Sequence, residues 1–310
     1  MEVIRDGDPL PRSLRGAAVT VGVFDGVHRG HQAVLARLAE VAAERGVPRG
    51  VVTFDRNPAS IVRPDSAPRV LTTARHRLEL FEAAGLDFVR LVTFDEDRSL
   101  QSAGSFASEV LSGELGVRAV VVGSDFHFGL RRQGDVGSLG EIGDQQGFEL
   151  IVLPALEAED GGIVTSALVR QSLAAGDVRS ASALLGRPYE VRGVVERGDQ
   201  RGRTLGYPTA NVAVGGDVML PADGVYAGRY VHAGGAETAA AISIGRRPTF
   251  YREAGLLLVE AHLLDFTGDL YGQRAAVMVT DFVRGQERFD SAEELIEAMD
   301  RDLAAIRALG

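Results

Sequence analysis

Two histidines three residues apart, His28 and His31, stand in the stretch GVFDGVHRGHQ (22–32), where an apolar strand gives way to a helix. Gly22, Gly26 and Gly30 permit close backbone approach, and a helix N-terminus presents unpaired N–H groups and partial positive charge. Three chemistries fit such a pair: a phosphate cradle in which the imidazoles stabilise developing phosphoryl charge, a zinc site, or satisfied surface histidines. Zinc is disfavoured by the absence of cysteine and of a further His/Asp cluster nearby. A second stretch, GDQRGRTLGYPTANV (198–212), ends in Thr209 and Asn211, two apart on an extended segment. Their oxygens point to one side and suit a hard cation, or else form the local hydrogen bonds of a hairpin turn. In LLLVEAHLLDF (256–266), Glu260 and His262 share one strand face. Glu260 is either a general base or an ordinary solvated carboxylate.

Composition narrows these choices. The 310 residues contain no lysine, so all 33 basic residues are arginine. A Walker-type phosphate loop and a Schiff-base enzyme are thereby excluded. The net charge of -10 argues against a nucleic-acid partner and for a small ligand. Apolar residues make up 45% of the chain, but no run approaches the roughly 20 needed to span a bilayer, so no membrane partner is expected. The opening MEVIRDGDPLPRSLRG lacks the apolar stretch of a secretory signal, and a cytoplasmic location is the expectation.

The elements that must position these residues change character near the middle. Apolar β-rich runs at 17–24, 50–54, 88–94, 118–123 and 149–154 alternate with helical patterns at 31–46 and 72–85. Thr72 or Thr73 is expected to cap the second helix, and Gly46 and Gly85 to end the two. This rhythm predicts an α/β domain with a Rossmann-like parallel sheet over residues 1–185, its ligand at the carboxyl ends of the strands. From 186 to 310, strand patterns at 189–196, 225–232, 238–245, 256–266 and 274–283 predict an antiparallel β-barrel. It closes on a terminal helix with a Ser291/Glu294 capping box.

The pattern G-x-F-D-G-x-H-x-G-H at the first strand-to-helix turn resembles the nucleotidyltransferase superfamily. The whole chain resembles the bifunctional bacterial riboflavin kinase/FAD synthetase (FMN adenylyltransferase) family. The resemblance implies that His28 and His31 stabilise the ATP triphosphate as FMN attacks, without a covalent enzyme intermediate, while Gly22, Phe24, Asp25, Gly26 and Gly30 shape the ATP pocket. VVTFDRNP (51–58) and VVVGSDFHFGLRRQGD (120–135) resemble further family loops. The resemblance thus places Asp125 in the nucleotide site and Phe126 and Phe128 beside the flavin, core packing being the alternative for the two rings. GIVTSALVR (162–170) resembles V-S-S-T-x-I-R, with Thr165, Ser166 and Arg170 at the triphosphate. Two departures stand out. Asn57 occupies the place of a usual His and cannot carry its charge, and Ala167 lacks a hydroxyl worth roughly 1–3 kcal/mol in the transition state.

In the second half, G-x-x-x-G-R-x-L-G-x-P-T-A-N is matched residue for residue. The resemblance implies that Thr209 and Asn211 hold Mg2+, that Gly198, Gly202, Arg203, Gly206 and Pro208 cover ATP, that Glu260 is the base and that Arg284 contacts flavin. Ser243 and Gln286 replace a usual Asn and Glu. The implied activity is riboflavin to FMN, then FMN to FAD, with Mg2+ and ATP; the implied partners are riboflavin, FMN and ATP. The oligomeric expectation is a monomer or transient self-association. Two alternatives stand beside it: a riboflavin kinase whose transferase half is impaired or altered in specificity, and a non-catalytic flavin-binding regulatory protein.

Overall fold

The computed structural model describes residues 1–158, 161–198, 206–245 and 256–309. Contacts divide the chain into two compact units, Met1–Ser166 and Ala167–Gly310. The change of rhythm at 185/186 marks where the second run of strands begins, whereas contacts group the two helices just before it with the barrel.

The first unit is a six-stranded parallel sheet of β1 (Glu2–Arg5), β2 (Ala18–Val21), β3 (Arg49–Phe54), β4 (Phe88–Val92), β5 (Ala119–Gly123) and β6 (Glu149–Leu153), in the order β1-β4-β3-β2-β5-β6. The central strands are valine-rich and buried on both faces, as helices above and below require. Alternate residues feed two cores. Val19, Val21, Val52, Val120 and Val122 meet Phe106, Val110, Leu111 and Leu139 on one face. Ala18, Val51, Val89 and Val121 meet Leu35, Leu38, Val41 and Phe81 on the other. Gly50 makes room in β3, since a Cβ there would lie 2.3 Å from the Phe88 ring.

Helix α1 (Arg29–Arg45) begins two residues before the sequence reading placed it, with His28 itself as N-cap, and ends at Gly46 in the left-handed region, φ 61°. Helix α2 (Ala74–Ala83) is capped by Thr73. Helix α3 opens at Ala103–Phe106 and continues with wider π-type spacing over Ala107–Leu115. Helix α4 (Val136–Gln146) starts at an Asp135/Ser138 capping box. Because successive strands lie to one side of β2 until β5 crosses to the other, the strand order reverses at the carboxyl end of β2. Such a switch point opens a crevice for ligands.

In the second unit, helices α5 (Ser166–Ala174) and α6 (Val178–Leu185) precede six antiparallel strands. These are β7 (Tyr189–Glu196), β8 (Ala210–Gly215), β9 (Gly224–Val231), β10 (Glu237–Ile244), β11 (Leu256–Leu263) and β12 (Arg274–Arg284), closed as β10-β11-β8-β7-β12-β9. Gly193 and Gly228 let neighbouring strands close up, a Cβ at either lying 2.0 Å from a carbonyl oxygen. Helix α7 (Ala292–Leu309) lays Leu303 and Ile306 over Ala227 and Leu264. Its start differs slightly from a reciprocal box: Ser291 Oγ accepts from Glu294 N at 3.2 Å, while Glu294 accepts from Asp290 N at 3.1 Å.

Candidate active sites

The loop after β2 is a cradle held open by strain and anchored by one carboxylate. Phe24, Gly26 and Val27 have φ of 53°, 83° and 42°, costly for the two side-chain-bearing residues and kept only where surroundings enforce it. Asp25, 4% exposed, supplies the enforcement: its carboxylate accepts from Leu71 N at 2.9 Å and Thr72 N at 3.0 Å. Gly26 N donates to Thr72 Oγ1 at 3.0 Å, and Ser166 Oγ donates to Asp25 O at 2.8 Å, bridging 141 residues of sequence. Gly22 and Gly30 are tightly enclosed, Cβ atoms there lying 3.0 Å from the Phe24 ring and 3.2 Å from the His28 ring, so that a side chain at either would require those rings to give way by a few tenths of an ångström.

Inside the cradle His28 and His31 stack face to face, ring centroids 3.6 Å apart. His31 N donates to His28 Nδ1 at 3.3 Å, which fixes the ring at the helix start. Phe24 backs His31 at 4.8 Å. The Nδ1 of His31 is enclosed and has no hydrogen-bond partner among the described residues. Burial, helped by the neighbouring positive charge of His28 and Arg77, holds the His31 pKa well below the ordinary 6.5. The pair therefore presents at least one neutral imidazole, able to donate from one nitrogen, at the N-terminus of α1.

Sequence reasoning passed over Arg77. It is 4% exposed on α2, donates Nη2–H to Phe54 O, and leaves Nε enclosed without a partner. Burial lowers its pKa, and Asp25 and Asp55 oppose that shift. One of two arginines in a charged helical segment, Arg77 reads as a solvent-facing residue; only the buried environment marks it as a fixed cation close to His31.

The other expected residues have the following places. Asn57 Oδ1 accepts from Ala59 N at 3.0 Å, an Asx turn that starts the short helix Ala59–Val62. Phe126 and Phe128 stack at 5.2 Å and are half-buried against the core, joined by Phe106 and Phe54. Both readings of these rings stay open: they pack, and part of each is exposed. Asp125 is exposed. Thr165 stands immediately before α5, and Arg170 is half-buried on it in the second compact unit.

In the barrel, strand register assembles a polar row that spacing within one strand does not show. Asn211 of β8 is the cross-strand partner of Glu260 of β11, and Glu260 is the partner of Ser243 of β10. Partners in register project from the same face. Asn211 is 8% exposed. Gly198 fits against it: a Cβ there would lie 2.6 Å from the amide nitrogen. Thr209 is half-buried, one residue outside the ladder. Gly206 and Pro208 are exposed beside it, whereas Gly202 and Arg203 lie outside the described residues, as does most of the IGRRPTF loop. Arg284 gives its Nε and Nη2 to Asp302 of α7 at 2.8–3.1 Å. Gln286 donates to Ser243 Oγ and to Ile244 O, each at 3.1 Å, so the two departures from the family pattern touch one another.

A stacked histidine pair at the switch point of a parallel sheet, followed by an antiparallel barrel with an Asn/Glu row, marks the class of two-domain nucleotide-dependent transferases. Residues 10–167 match the FAD synthetase family model and 185–309 the riboflavin kinase model. The bifunctional riboflavin kinase/FMN adenylyltransferase of Pseudomonas fluorescens is 41% identical over 309 residues, covering 100% of this chain and 98% of that protein. That of Escherichia coli (strain K12) is 38% identical over 304 residues, covering 97% and 96%. A crystal structure described as a macrolide-efflux protein from Streptococcus pneumoniae superposes with a TM-score of 0.87 at 28% identity, covering 99% of both chains. No helix among the described residues is long and apolar enough to cross a membrane. The chain belongs to the bifunctional riboflavin kinase/FMN adenylyltransferase family, and makes FMN and FAD.

Proposed function

We propose that residues 1–185 carry FMN adenylyl transfer and residues 186–310 riboflavin phosphorylation, each consuming ATP with Mg2+ in the cytoplasm. The observation that carries this division is the presence of two separate constellations, the stacked His28/His31 pair in the strained cradle and the Asn211/Glu260 partnership in the barrel.

In the first step Glu260 accepts the proton of the ribityl hydroxyl while that oxygen bonds to the γ-phosphorus and the bond to the bridging oxygen of ADP breaks. Asn211 and Thr209 fit a magnesium ion: both offer neutral oxygens of the kind a hard cation takes, and Asn211 stands buried in register with the carboxylate-bearing Glu260. Magnesium, when bound, neutralises phosphate charge and keeps part of its shell as water and phosphate oxygen. Gly198, Gly202, Arg203, Gly206 and Pro208 are the proposed nucleotide cover.

In the second step a phosphate oxygen of FMN bonds to the α-phosphorus of ATP as pyrophosphate leaves. His28, His31 and the amides at the start of α1 are the proposed donors to the phosphoryl oxygens. Gly22, Phe24, Asp25, Gly26 and Gly30 hold that geometry. Asn57, Asp125, Thr165, Ser166 and Arg170 are the remaining proposed nucleotide contacts of this step and Phe126 and Phe128 its flavin contacts, while Arg284 of β12 is the proposed flavin contact of the kinase half. The Oδ1 of Asn57 forms the turn after β3, so its proposed contact with the nucleotide is as a neutral amide donor without the charge of an imidazolium. Chromatography of products from riboflavin and from FMN, each with ATP and with Mg2+ or excess EDTA, tests this reading. Conversion that persists undiminished in EDTA removes the metal, and FMN left unconverted removes the second activity.

A further inference from the structure

The segment carrying Thr209 and Asn211 meets the rest of the barrel unevenly. Asn211 is inside the ladder, but the last partnership is Ala210 with Ala261, and Thr209 falls just beyond it. Two side chains fasten this overhang. His262 Nδ1 lies 2.8 Å from Pro208 O, the carbonyl immediately before Thr209. A carbonyl oxygen only accepts, so Nδ1 carries the proton and donates in this contact. The His262 ring meets the Tyr207 ring edge to face at 5.6 Å, and Tyr207 donates its hydroxyl to Asp300 Oδ1 on α7 at 2.6 Å. The chain of contacts thus runs from the terminal helix through Tyr207 and His262 to the backbone of Thr209. It also starts on the strand that carries Glu260, two residues before His262.

We propose that His262 and Tyr207 are positioning residues of the kinase site, pinning the 207–209 overhang to β11 and α7 so that Thr209 and Asn211 present their oxygens together. This rests on the reading of Thr209 and Asn211 as the magnesium-holding pair. Proline already restricts its own φ, so one bond to its carbonyl removes much of the remaining freedom. Partners that orient metal ligands without touching the metal typically alter affinity by about 10–100-fold.

The direct readout is binding rather than turnover. ADP is titrated calorimetrically into the full-length protein, with and without MgCl2, for wild type, His262→Ala, His262→Asn and Tyr207→Phe, with thermal unfolding as the fold control. The amide nitrogen of an asparagine falls where imidazole Nδ1 does, so H262N keeps the donor. H262A is expected to lose about 10-fold of the Mg2+-dependent gain in ADP affinity, H262N less than about 3-fold and Y207F about 3-fold. In turnover the loss appears in KM for MgATP ahead of kcat, and adenylyl transfer is unaffected. Should H262A not fold, H262N and Y207F carry the comparison. An H262A protein with wild-type Mg2+ dependence, or an H262N protein impaired as deeply as H262A, overturns the proposal. A wild type whose ADP affinity ignores Mg2+ overturns the metal reading first, and the proposal with it.

Discussion

At His31 two physical demands conflict, and the conflict is measurable. The ring is close to His28 and Arg77 and its Nδ1 is enclosed, so protonation in the folded state is opposed by burial and by like charge. As pH falls below the ordinary 6.5, the unfolded chain takes the proton first. This stability is therefore complete above about pH 6.5 and is lost as pH falls toward the depressed folded value. The urea midpoint is expected to drop more steeply between about pH 7.5 and about pH 5.5 in wild type than in His31→Asn, which has no proton to gain there. Equal slopes contradict this account. The histidines were legible because their spacing sits between a strand pattern and a helix pattern. Arg77 was not, since nothing in a single helical period distinguishes a buried guanidinium from a solvated one. The cross-strand meeting of Asn211 with Glu260 was likewise hidden: it depends on register, which joins residues 49 positions apart.

Elements bring these groups together through a few close approaches. Gly30→Ala places a methyl 3.2 Å from the His28 ring and 3.3 Å from Val164 O, with α1 already committed to its helix. We expect adenylyl transfer to fall at least about 10-fold while riboflavin phosphorylation is unchanged; parallel loss of both contradicts a local effect. At the barrel end, Arg284 and Asp302 join β12 to α7 in a bidentate pair, Asp302 being 7% exposed. Asp302→Ala leaves the guanidinium without its carboxylate and is expected to cost about 2–4 kcal/mol in urea denaturation. A loss within about 0.5 kcal/mol shows that the pair is merely a surface ion pair. The alternation of the two halves carried the fold class, but not every element. β1 is four residues long and lies beside a charged turn, so it has no period to read. α4 carries three glycines in VGSLGEIGDQQ, which mask its helical pattern although its capping box holds it. β8 is hidden within a nucleotide motif whose glycines and proline read as loop.

At the scale of the molecule the chain pairs two chemistries that share ATP but use different stabilising groups. In the proposed assignment one relies on imidazoles and helix amides and the other on oxygen ligands and a carboxylate base, and the sequence holds no lysine for either. That composition made the class of phosphate chemistry legible before any fold was known, while the boundary between the units was not, because α5 and α6 continue the helical rhythm of the first half and pack with the second. The most direct test of two independent sites is a paired product assay on two single variants. Riboflavin with MgATP is supplied to Glu260→Gln and FMN with MgATP to the same protein, and both assays are repeated for His28→Ala. E260Q is expected to lose FMN formation by about 10²-fold or more yet convert FMN to FAD at the wild-type rate. H28A is expected to accumulate FMN from riboflavin at the wild-type rate, with FAD formation down about 10²-fold or more. Loss of both products in either variant, or of neither, contradicts the assignment.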